Sequence, residues 1–340
     1  MRYIVVKKTQ DSGAGSTPQR TTLKDVARAA GVSHQTVSRA INNKGEIDPL
    51  TRQRVLDAAR ELRYRPSRFA RGLVRPDMTT VGLIIPDVAN PFYPELIAGV
   101  IEAANVRGWQ VVVGSTQGDR DGELALVRSL GRQVDALIGF LTHTDAELAP
   151  HLEGLPLVVM DRHQSTAHGV VDVDVRPGLR QGLQHLIARG HRRIGMIDCA
   201  NECGESRRDC FRAVTEELGL AVDNSWIVLG EESMAGGEAA FTDLRHRHPE
   251  LTAVIGYNDL VAIGAFRAAR RMGLAVPQDC ALLGCDGLSI GELLDPPLSS
   301  VYIDKRRMGQ LAMDQVDGLL SGTPTAPALL GTELLHRGSF

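Results

Sequence analysis

The sequence predicts an α/β protein in which a small all-helical unit precedes two doubly wound lobes with parallel sheets. Three observations support this prediction. The chain has 340 residues, which exceeds the usual size of one domain. After residue 80, continuous apolar runs rich in β-formers alternate with helical stretches, as in parallel sheets covered on both faces. Before residue 66, short amphipathic stretches show helical periodicity instead.

Charge is divided unevenly along the chain. Residues 1–76 contain 16 Lys and Arg against 6 Asp and Glu, whereas the remainder contains 22 against 35. Because Lys and Arg neutralise phosphates, a basic head on an acidic body indicates a polyanionic partner for the head. Charge alone leaves open a basic face that is merely solvated.

Composition disfavours several classes of protein. No apolar run approaches the length of a membrane span, and Tyr3–Val6 is too short for a secretory h-region, so we expect a cytoplasmic protein. The 5 cysteines have no zinc-site spacing and fit reduced thiols better than a disulfide framework. With no P-loop, no Gly-x-Ser-x-Gly elbow and no metal-spaced His/Glu set, we expect neither enzyme activity nor a cofactor.

The first helix is expected to begin at Thr22. Residues 1–20 are rich in Gly and Ser and predict a disordered arm. Thr22 and Asp25 have the spacing of a capping box, and Gly31 ends the helix. Its apolar stripe consists of Leu23, Val26, Ala27 and Ala30.

A second short helix is expected after the Gly31 turn, with Ser33 as its cap. Its inward side chains are Val37, Ala40 and Ile41, and its outward ones are His34, Gln35, Ser38 and Arg39. Helix, glycine turn and polar-faced helix is the helix-turn-helix pattern, whose second helix enters the DNA major groove. Gln35 suits adenine, Arg39 suits guanine, and His34 suits either a donor or an acceptor. Each alone would pass for an ordinary exposed residue.

A third helix and a short fourth one follow. The third begins at Asp48 and Pro49, ends at Tyr64-Arg65-Pro66, and has an apolar stripe of Val55, Leu56, Ala59 and Leu62. Ser67–Val74 is capped by serine and stopped by Pro76. At about eight residues this segment is too short to stay helical alone in water, so it requires a partner.

Strands are predicted in the body at Val81–Ile85, Gln110–Val113, Ala136–Phe140, Leu155–Met160, Ile194–Ile197, Ala253–Gly256 and Ala281–Leu283. Such sheets bind ligands at the carboxyl ends of their strands, so the polar residues that follow are candidates. These are Asp87, Asn90 to Tyr93, Asp161, Arg162, Asn258, Asp259 and Asp286. Other interpretations remain for some: a turn at Asn90-Pro91, a helix cap for Asp161 or Asp286.

Long motifs of the chain resemble the LacI/GalR family of bacterial transcription repressors from about Thr22 to the end. TLKDVARAAGVSHQTVSRAIN and YRPSRFARGLV resemble the family's DNA-binding headpiece and hinge. GLIIPDVANPFYPELIAGV, VVMDR, SRRDCF, GYNDLVAIGAFRAA and ALLGCDG resemble the motifs of its effector cleft. The resemblance implies a periplasmic-binding-protein-like body that closes on a small effector.

The resemblance also implies which residues contact DNA. They are Thr22, Ser33, His34, Gln35, Thr36, Ser38, Arg39, Asn42, Tyr64, Ser67, Arg68, Ala70 and Leu73. Residues 67–76 would be the hinge helix, which folds in the minor groove against its dimer mate, with Leu73 wedged into a base step. Gly72 departs from the bulkier residue usual in the family, which indicates a less stable hinge.

For the effector, the resemblance implies stacking on Phe92 and Tyr93 and hydrogen bonds from the polar residues Asp161, Arg207, Asn258 and Asp286. Arg207 could instead be a surface cation. Carboxylates with a fork-shaped guanidinium suit sugar hydroxyls. Arg162, His163 and Arg208 would add positive charge, which favours an acidic or phosphorylated sugar. No leucine heptad follows the last strand, so a homodimer on a palindromic operator is expected.

The predicted division of the chain is an arm at 1–20, a headpiece at 21–66, a hinge at 67–76 and an effector-binding body at 77–340. Within the body, one lobe would comprise 77–160 and 290–320, the other 161–289 and 321–340. The main prediction is a DNA-binding regulator of the repressor type, controlled by a sugar or sugar derivative. The alternatives are a periplasmic-type solute-binding protein and a regulator that uses a nucleobase or nucleoside as corepressor.

Overall fold

The structure is a computed structural model that describes residues 23–41, 47–62, 78–152, 154–162, 165, 168–200, 207–323 and 326–340. Its first helices are α1 (Leu23–Ala30), α2 (His34–Ile41) and α3 (Pro49–Glu61). Capping explains the start of two of them. Ser33 Oγ accepts a hydrogen bond from the Thr36 amide at 3.1 Å, and Asp48 Oδ2 accepts one from the Thr51 amide at 2.9 Å.

These helices form a headpiece around one apolar core. Its buried residues are Val26, Ala27, Ala30, Val37, Ala40, Val55, Ala58 and Ala59. Seven of these residues belong to the predicted stripes, and Ala58 is buried in addition, whereas Leu56 and Leu62 are half-buried. The side chains of Leu23 and Ile41 lie outside the described residues. Apolar spacing therefore fixes which faces of α1 and α2 meet.

The first lobe is built on a parallel sheet of six strands. Its strands are β1 (Thr80–Ile85), β2 (Gln110–Ser115), β3 (Ala136–Gly139), β4 (Leu157–Met160), β5 (Gly169–Asp174) and β11 (Ala328–Gly331). Their order is β11-β5-β4-β3-β1-β2. The change of direction between β1 and β3 opens a crevice at the carboxyl ends of the strands, where such sheets hold ligands.

The second lobe has a sheet of the same size. Its strands are β6 (Ile194–Cys199), β7 (Ile227–Gly230), β8 (Ala253–Gly256), β9 (Ala281–Asp286), β10 (Ser299–Tyr302) and β12 (Glu333–Leu335). They follow the order β12-β10-β9-β8-β6-β7, and β12 runs antiparallel to β10. Every residue of β9 is buried, as expected for a strand that is covered on both faces.

Helices cover both sheets. They are α4 (Phe92–Val106), α5 (Arg120–Gly131), α6 (Asp145–Leu152), α7 (Arg176–Ala188), α8 (Arg207–Glu217), α9 (Met234–Arg247), α10 (Asp259–Arg271) and α11 (Lys305–Ser321). Helices α4 and α11 cross closely at two glycines. A Cβ at Gly309 would lie 2.5 Å from the Leu96 carbonyl oxygen, and one at Gly99 would overlap the Arg306 carbonyl, so both sites require glycine.

The fold class is the predicted one, but the division of the body differs from the prediction. The chain crosses between the sheets after Asp174, after Tyr302 and between Gly331 and Glu333. Strands β5 and β11 therefore belong to the first lobe and β10 to the second, opposite to the predicted boundaries at 161, 290 and 321. Lobe membership depends on hydrogen-bonded pairing between distant strands, which local sequence patterns do not contain.

The strands predicted from the sequence did not include β5, β7, β10, β11 or β12. The β5 segment contains Asp172 and Asp174, which interrupt its apolar pattern although Asp172 is buried. Strands β7 and β11 lie at sheet edges, and their burial alternates instead of being continuous. Thr332 links two of the segments that cross between the sheets, the one after β5 and the one between β11 and β12. Its Oγ1 accepts a hydrogen bond from the Gly178 amide at 3.1 Å and donates one to the Asp174 carbonyl at 2.9 Å.

Candidate functional site

Helix α2 presents polar side chains on the surface of the headpiece. His34, Gln35 and Arg39 are exposed, whereas Val37 and Ala40 on the opposite face are buried. The Ser33 cap fixes the start of the helix. The three exposed side chains therefore stand on a short helix whose other face is held by the core, as direct reading of base edges requires.

The remaining predicted DNA contacts fall into two groups. Ser33 is exposed, with its hydroxyl 2.9 Å from Thr36 Oγ1, and both Thr36 and Ser38 are half-buried. The hydroxyl of Ser33 thus has a structural role in capping α2. The other predicted contacts lie outside the described residues: Thr22, Asn42, Tyr64, Ser67, Arg68, Ala70 and Leu73. The predicted arm at 1–20 and hinge at 67–76 also lie outside them.

Three aromatic rings stand at the carboxyl ends of the first sheet. Phe92 and Tyr93 begin α4, are buried, and lie edge to face with ring centroids 5.3 Å apart. Phe140, which follows β3, packs edge to face on both, at 6.2 Å from Phe92 and 5.3 Å from Tyr93. We call Phe92, Tyr93 and Phe140 the aromatic wall. Phe140 was assigned only to a strand by the sequence, because nothing local marks it as part of a site.

Arg207 joins the ends of two strands of the second lobe. Its Nη1 donates to the Tyr257 carbonyl, and its Nη2 lies 3.4 Å from Asp286 Oδ1. The guanidinium carbon is 4.3 Å from the centre of the Tyr257 ring, a cation–π contact. Since the side chain is only 17% exposed, the alternative of a surface cation is wrong.

Asn258 links a helix start to a carboxylate that was not predicted. Its Oδ1 accepts from the Val261 amide at 3.0 Å and caps α10. Its Nδ2 donates to Glu232 Oε1 at 3.0 Å. Glu232 follows β7, and because that edge strand was missed, no sequence signal selected the residue after it. The structure thus adds a further carboxylate to the predicted polar set.

Asp161 and Asp286 share an unusual backbone conformation. Asp161 directly follows β4 with φ of 52°, and Asp286 ends β9 with φ of 121°. Few non-glycine residues adopt such angles, and strain of this kind concentrates at binding sites. Neither residue precedes a helix, so the helix-cap interpretation does not hold for them. Both carboxylates are therefore held at strand ends by the surrounding fold.

Both lobes contribute side chains to one cleft. Burial raises the pKa of the Tyr93 phenol well above its ordinary value, and the carboxylates of Glu232, Asp286 and Asp161 raise it further. These carboxylates are thus close enough to the aromatic wall to act on it electrostatically. We call Phe92, Tyr93, Asp161, Arg207, Asn258 and Asp286, with Phe140 and Glu232, the effector cleft.

Burial dominates the electrostatics of the effector cleft. It raises the pKa of Asp286 to about 8, against the opposing effect of the Arg207 charge. It also raises the pKa of Glu232, again with Arg207 opposing. With its pKa raised to about 8, the Asp286 carboxyl can both donate and accept hydrogen bonds near neutral pH. The cleft therefore offers mixed donors and acceptors instead of one dominant charge.

Arg162 and Arg208, two of the residues expected to add positive charge, both lie beside carboxylates. Arg162 is buried and donates to Asp145 Oδ1 and to the His143 carbonyl, the latter at 2.5 Å. Arg208 Nε lies 3.5 Å from Asp198 Oδ2. Each charge is thus compensated by a carboxylate, and His163 lies outside the described residues. These pairings weaken the basis for an acidic or phosphorylated sugar, which stays a prediction.

Two other candidates shape the loop after β1. Asp87 Oδ1 accepts from the Ala89 amide at 2.8 Å, and Asn90 Oδ1 accepts from the Phe92 amide at 3.0 Å. These are side-chain turns of the kind that Asp and Asn commonly make. The turn interpretation of Asn90-Pro91 therefore holds, and its effect is to place Phe92 and Tyr93.

Metal clusters and membrane-spanning helices are absent from the described ranges. There, no group of three or more His, Cys, Asp or Glu side chains could hold a metal ion. Within the same ranges, the structure contains no helix with the length and apolar character needed to cross a bilayer. Cys199, Cys210, Cys280 and Cys285 are buried, and none of these four forms a disulfide.

A headpiece with an exposed reading helix, joined to a two-lobed body with a buried polar cleft, defines a ligand-responsive DNA-binding regulator. Family models agree with both parts: residues 22–67 match the bacterial regulatory proteins of the lacI family, and residues 183–340 match a periplasmic binding protein-like domain. The chain belongs to the lacI family of bacterial transcriptional regulators.

Relatives with known names support the same class. The transcriptional regulator GalS of Salmonella typhimurium is 34% identical over 86% of this chain and 88% of its own length. The regulator CelR of Thermobifida fusca is 33% identical over 94% of this chain and 98% of its own. These matches favour a regulator over the alternative of a solute-binding protein.

Solved structures extend the comparison to complexes. A complex of CelR with cellobiose is 32% identical, with a TM-score of 0.68 over 94% of this chain and all (100%) of that one. The lac repressor dimer bound to operator and the anti-inducer ONPF is 25% identical, with a TM-score of 0.70 over 94% of this chain and 99% of that one. A lacI-family regulator from Arthrobacter in complex with lactose is 32% identical, with a TM-score of 0.70 over 77% and 99%.

Proposed function

We propose that this regulator binds a neutral sugar or sugar derivative in the effector cleft and that the sugar controls its operator affinity. The observation that carries the proposal is that an aromatic wall lies in the same cleft as a buried set of guanidinium, amide and carboxyl groups. Aromatic faces suit the C–H faces of a sugar ring, while directed hydrogen bonds select its hydroxyls. Relatives crystallised with cellobiose and lactose support this class of ligand.

Six residues are assigned to the sugar. Phe92 and Tyr93 would stack on the ring, while the polar set Asp161, Arg207, Asn258 and Asp286 would bond its hydroxyls. Arg207 and Asp286 already contact one another. A sugar hydroxyl placed between them can therefore accept a hydrogen bond from the Arg207 guanidinium and form another with the Asp286 carboxyl. Glu232 would hydrogen-bond the same ligand, because its carboxyl group lies beside Asn258.

The headpiece is assigned to operator DNA. Gln35 would bond adenine, Arg39 would fork onto guanine, and His34 would contact the adjacent base edge. Two headpieces of a homodimer would read two halves of a palindrome, as expected for a two-fold assembly. The hinge at 67–76 stays a prediction. We assign no catalytic step to the protein and place its work in the cytoplasm, where operator DNA lies.

The sugar would act by its preference for one arrangement of the lobes. A ligand shifts an equilibrium only by the difference between its affinities for the two states. By reciprocity, a sugar that weakens operator binding must itself be bound more weakly by the operator complex. This reciprocity gives a test that does not require knowing which arrangement the sugar prefers.

The DNA part of the proposal is tested by fluorescence titration of the full chain. The duplexes are a palindromic site obtained by selection from a random library and a scrambled duplex of equal length, each at two salt concentrations. We expect the selected site to bind at least about 1,000-fold more tightly, with both affinities falling as salt rises. Equal affinity for the two duplexes would contradict sequence-specific reading.

The sugar part is tested by thermal unfolding of the full chain with a panel of single compounds. The panel holds monosaccharides, disaccharides, sugar acids, sugar phosphates, nucleosides and nucleobases. A neutral sugar should raise the unfolding temperature, because a ligand of the native state adds RT ln(1 + [L]/Kd) to stability. A shift given only by nucleosides or nucleobases would instead favour the corepressor alternative, and one given only by sugar acids or phosphates would contradict a neutral ligand.

A further inference from the structure

The loop that carries Asp286 is held in an unusual conformation. Asp286 has φ of 121° and Gly287 has φ of 69°, so two successive residues lie in the left-handed half of backbone space. For an aspartate this arrangement is strained and persists only where the surroundings determine it. The question is which groups hold the loop, since they also fix where the Asp286 carboxyl points.

Three fully buried side chains hold three successive residues of this loop. Lys305 Nζ donates to the Asp286 carbonyl at 2.6 Å. The Gly287 amide donates to Ser300 Oγ at 3.0 Å, and the Leu288 amide donates to Asp259 Oδ2 at 2.6 Å. Ser300 Oγ in turn donates to Asp259 Oδ1 at 2.5 Å. The loop is thus fixed by its backbone, leaving the Asp286 side chain for the effector cleft.

Lys305 differs from the other two in the lobe to which it belongs. Asp259 begins α10 and Ser300 lies in β10, so both are part of the second lobe. Lys305 is the first residue of α11, a helix that packs on α4 and on strands of the first sheet. Its side chain is 0% exposed, although lysine is among the residues least often buried.

The ammonium group of Lys305 lies between the Asp286 loop and the start of α4. Besides the Asp286 carbonyl, it donates to the Ile303 carbonyl at 3.1 Å. It lies 3.8 Å from Glu95 Oε2 and 5.0 Å from the centre of the Tyr302 ring. Glu95 is in the first turn of α4, which begins with Phe92 and Tyr93. One buried charge therefore connects the aromatic side of the cleft to the strained loop.

We propose that Lys305 is a positioning residue that ties the start of α4 to the Asp286 loop, so that the two walls of the effector cleft respond as one unit. This inference rests on the proposed function for its regulatory meaning. A movement of α4 relative to the loop must lengthen either the contact with Glu95 or that with the Asp286 carbonyl. A group whose contacts depend on the positions of both lobes, as those of Lys305 do, is what coupling between the lobes requires.

A double-mutant cycle on the ligand-free full chain tests the proposal. The variants are Glu95→Gln, Lys305→Met and the pair, and the measurement is amide hydrogen exchange at Gly287 and Leu288. Lys305→Met should speed exchange there about tenfold, because it removes the donor to the Asp286 carbonyl. Glu95→Gln should speed exchange at the same amides about threefold or more, although Glu95 belongs to the other lobe.

In the Lys305→Met background, Glu95→Gln should have no further effect on the loop. A purely local structural role of Lys305 would leave the loop insensitive to Glu95→Gln, and that result would overturn the proposal. Additive effects of the two substitutions would overturn it as well. If Lys305→Met does not fold, the response of the loop to Glu95→Gln alone still decides.

The matched control is Arg306→Met, together with Glu102→Gln. Arg306 is the next residue of α11 and pairs with Glu102 of α4, so this ion pair joins the same two helices away from the loop. Neither substitution should alter exchange at Gly287 or Leu288, and a change as large as that of Glu95→Gln would count against the proposal. Because the cycle needs neither sugar nor DNA, its failure is distinguishable from failure of the proposed function.

Discussion

The reading helix α2 and the effector cleft solve opposite problems of polar recognition. In α2, His34, Gln35 and Arg39 are exposed, and their backbone is fixed by a cap and an apolar face. In the cleft, Asp286 and Asn258 are buried and bonded to other side chains. Under the proposed function the exposed side chains of α2 bind DNA and support no other part of the fold, so changing them should leave the fold intact. Buried groups are part of the fold, so changing them should alter both binding and stability.

The largest expected effect comes from removing the Asp286 carboxyl. Asp286→Ala should weaken sugar binding at least about 100-fold, because a buried site that loses one partner leaves the others unsatisfied. Operator affinity without sugar should change by less than about threefold. The measurement is operator titration with and without the sugar found by thermal shift. Asp243→Ala, which removes an exposed carboxyl of the same lobe, is the control.

An unchanged sugar response in Asp286→Ala would remove this residue from the site. The buried and strained Asp286 carboxyl would then contribute only to the stability of the fold, and the difference between α2 and the effector cleft would not hold for this residue.

Removing one reading side chain should have a smaller effect, confined to DNA. Arg39→Ala should cost about 1–3 kcal/mol at the matched base pair and relax specificity there. The measurement is a comparison of Kd values for operators substituted at single positions. Arg28→Ala removes an equally exposed positive charge from α1 and should weaken all sequences alike or not at all. Uniform weakening by Arg39→Ala would instead identify a phosphate contact.

Stability should depend on pH through Asp286. The pKa of this carboxyl in the folded protein is about 8, above its ordinary value, so the folded state holds the proton more tightly. The stabilising contribution is complete below about pH 4 and is lost as pH rises through about 8. Asp286→Asn removes this dependence.

The unfolding temperature of Asp286→Asn should therefore rise relative to the unsubstituted protein between pH 5 and pH 9. We expect this relative gain to grow across the range until the pH passes the folded-state pKa, because only the unsubstituted protein is destabilised as its folded-state carboxyl is forced to ionise. Asp243→Asn, at an exposed carboxyl, should show no such trend. A flat difference for Asp286→Asn across this range would show that the Arg207 and Lys305 charges outweigh burial.

The smallest expected effect concerns the cap of the reading helix. Ser33→Ala should destabilise α2 by about 1 kcal/mol, because the Thr36 amide loses its acceptor. Amide exchange along α2 should accelerate about fivefold. Gln35→Ala should leave this exchange unchanged while lowering the preference for adenine, since its side chain is exposed. If both variants loosened α2 equally, the separation between scaffold and reading side chains would be incorrect.

The headpiece was the most predictable part of the molecule. Ser33 and Asp48 cap the helices expected to follow them, and Val26, Val37 and Val55 lie in the core. These features depend on residues three or four positions apart, so local spacing contains the information. The strand after residue 80 was predictable for a similar reason, because β1 is a continuous apolar run.

The strand pattern by itself indicated cleft residues only shortly after an apolar strand, whereas Arg207 was indicated only by the family resemblance. Asp161 and Asp286 have that position, and the structure brings them to the same cleft as Arg207. Glu232 follows an edge strand without a continuous apolar pattern, and Lys305 reads as an ordinary first residue of a helix. Their importance depends on contacts with Asn258 and with the Asp286 carbonyl, which lie far away in sequence or across a turn.

The sequence by itself determined the class of the protein, the faces of the headpiece helices and the strand ends that carry most polar site residues. These are consequences of periodicity and of short motifs, which act over a few residues. Only the tertiary structure decided which strands share a sheet and which arginines, such as Arg162, pair with a carboxylate outside the effector cleft. It also decided that Lys305 lies between Glu95 and the Asp286 loop. Those outcomes depend on pairings between distant segments, which close only when the whole chain folds.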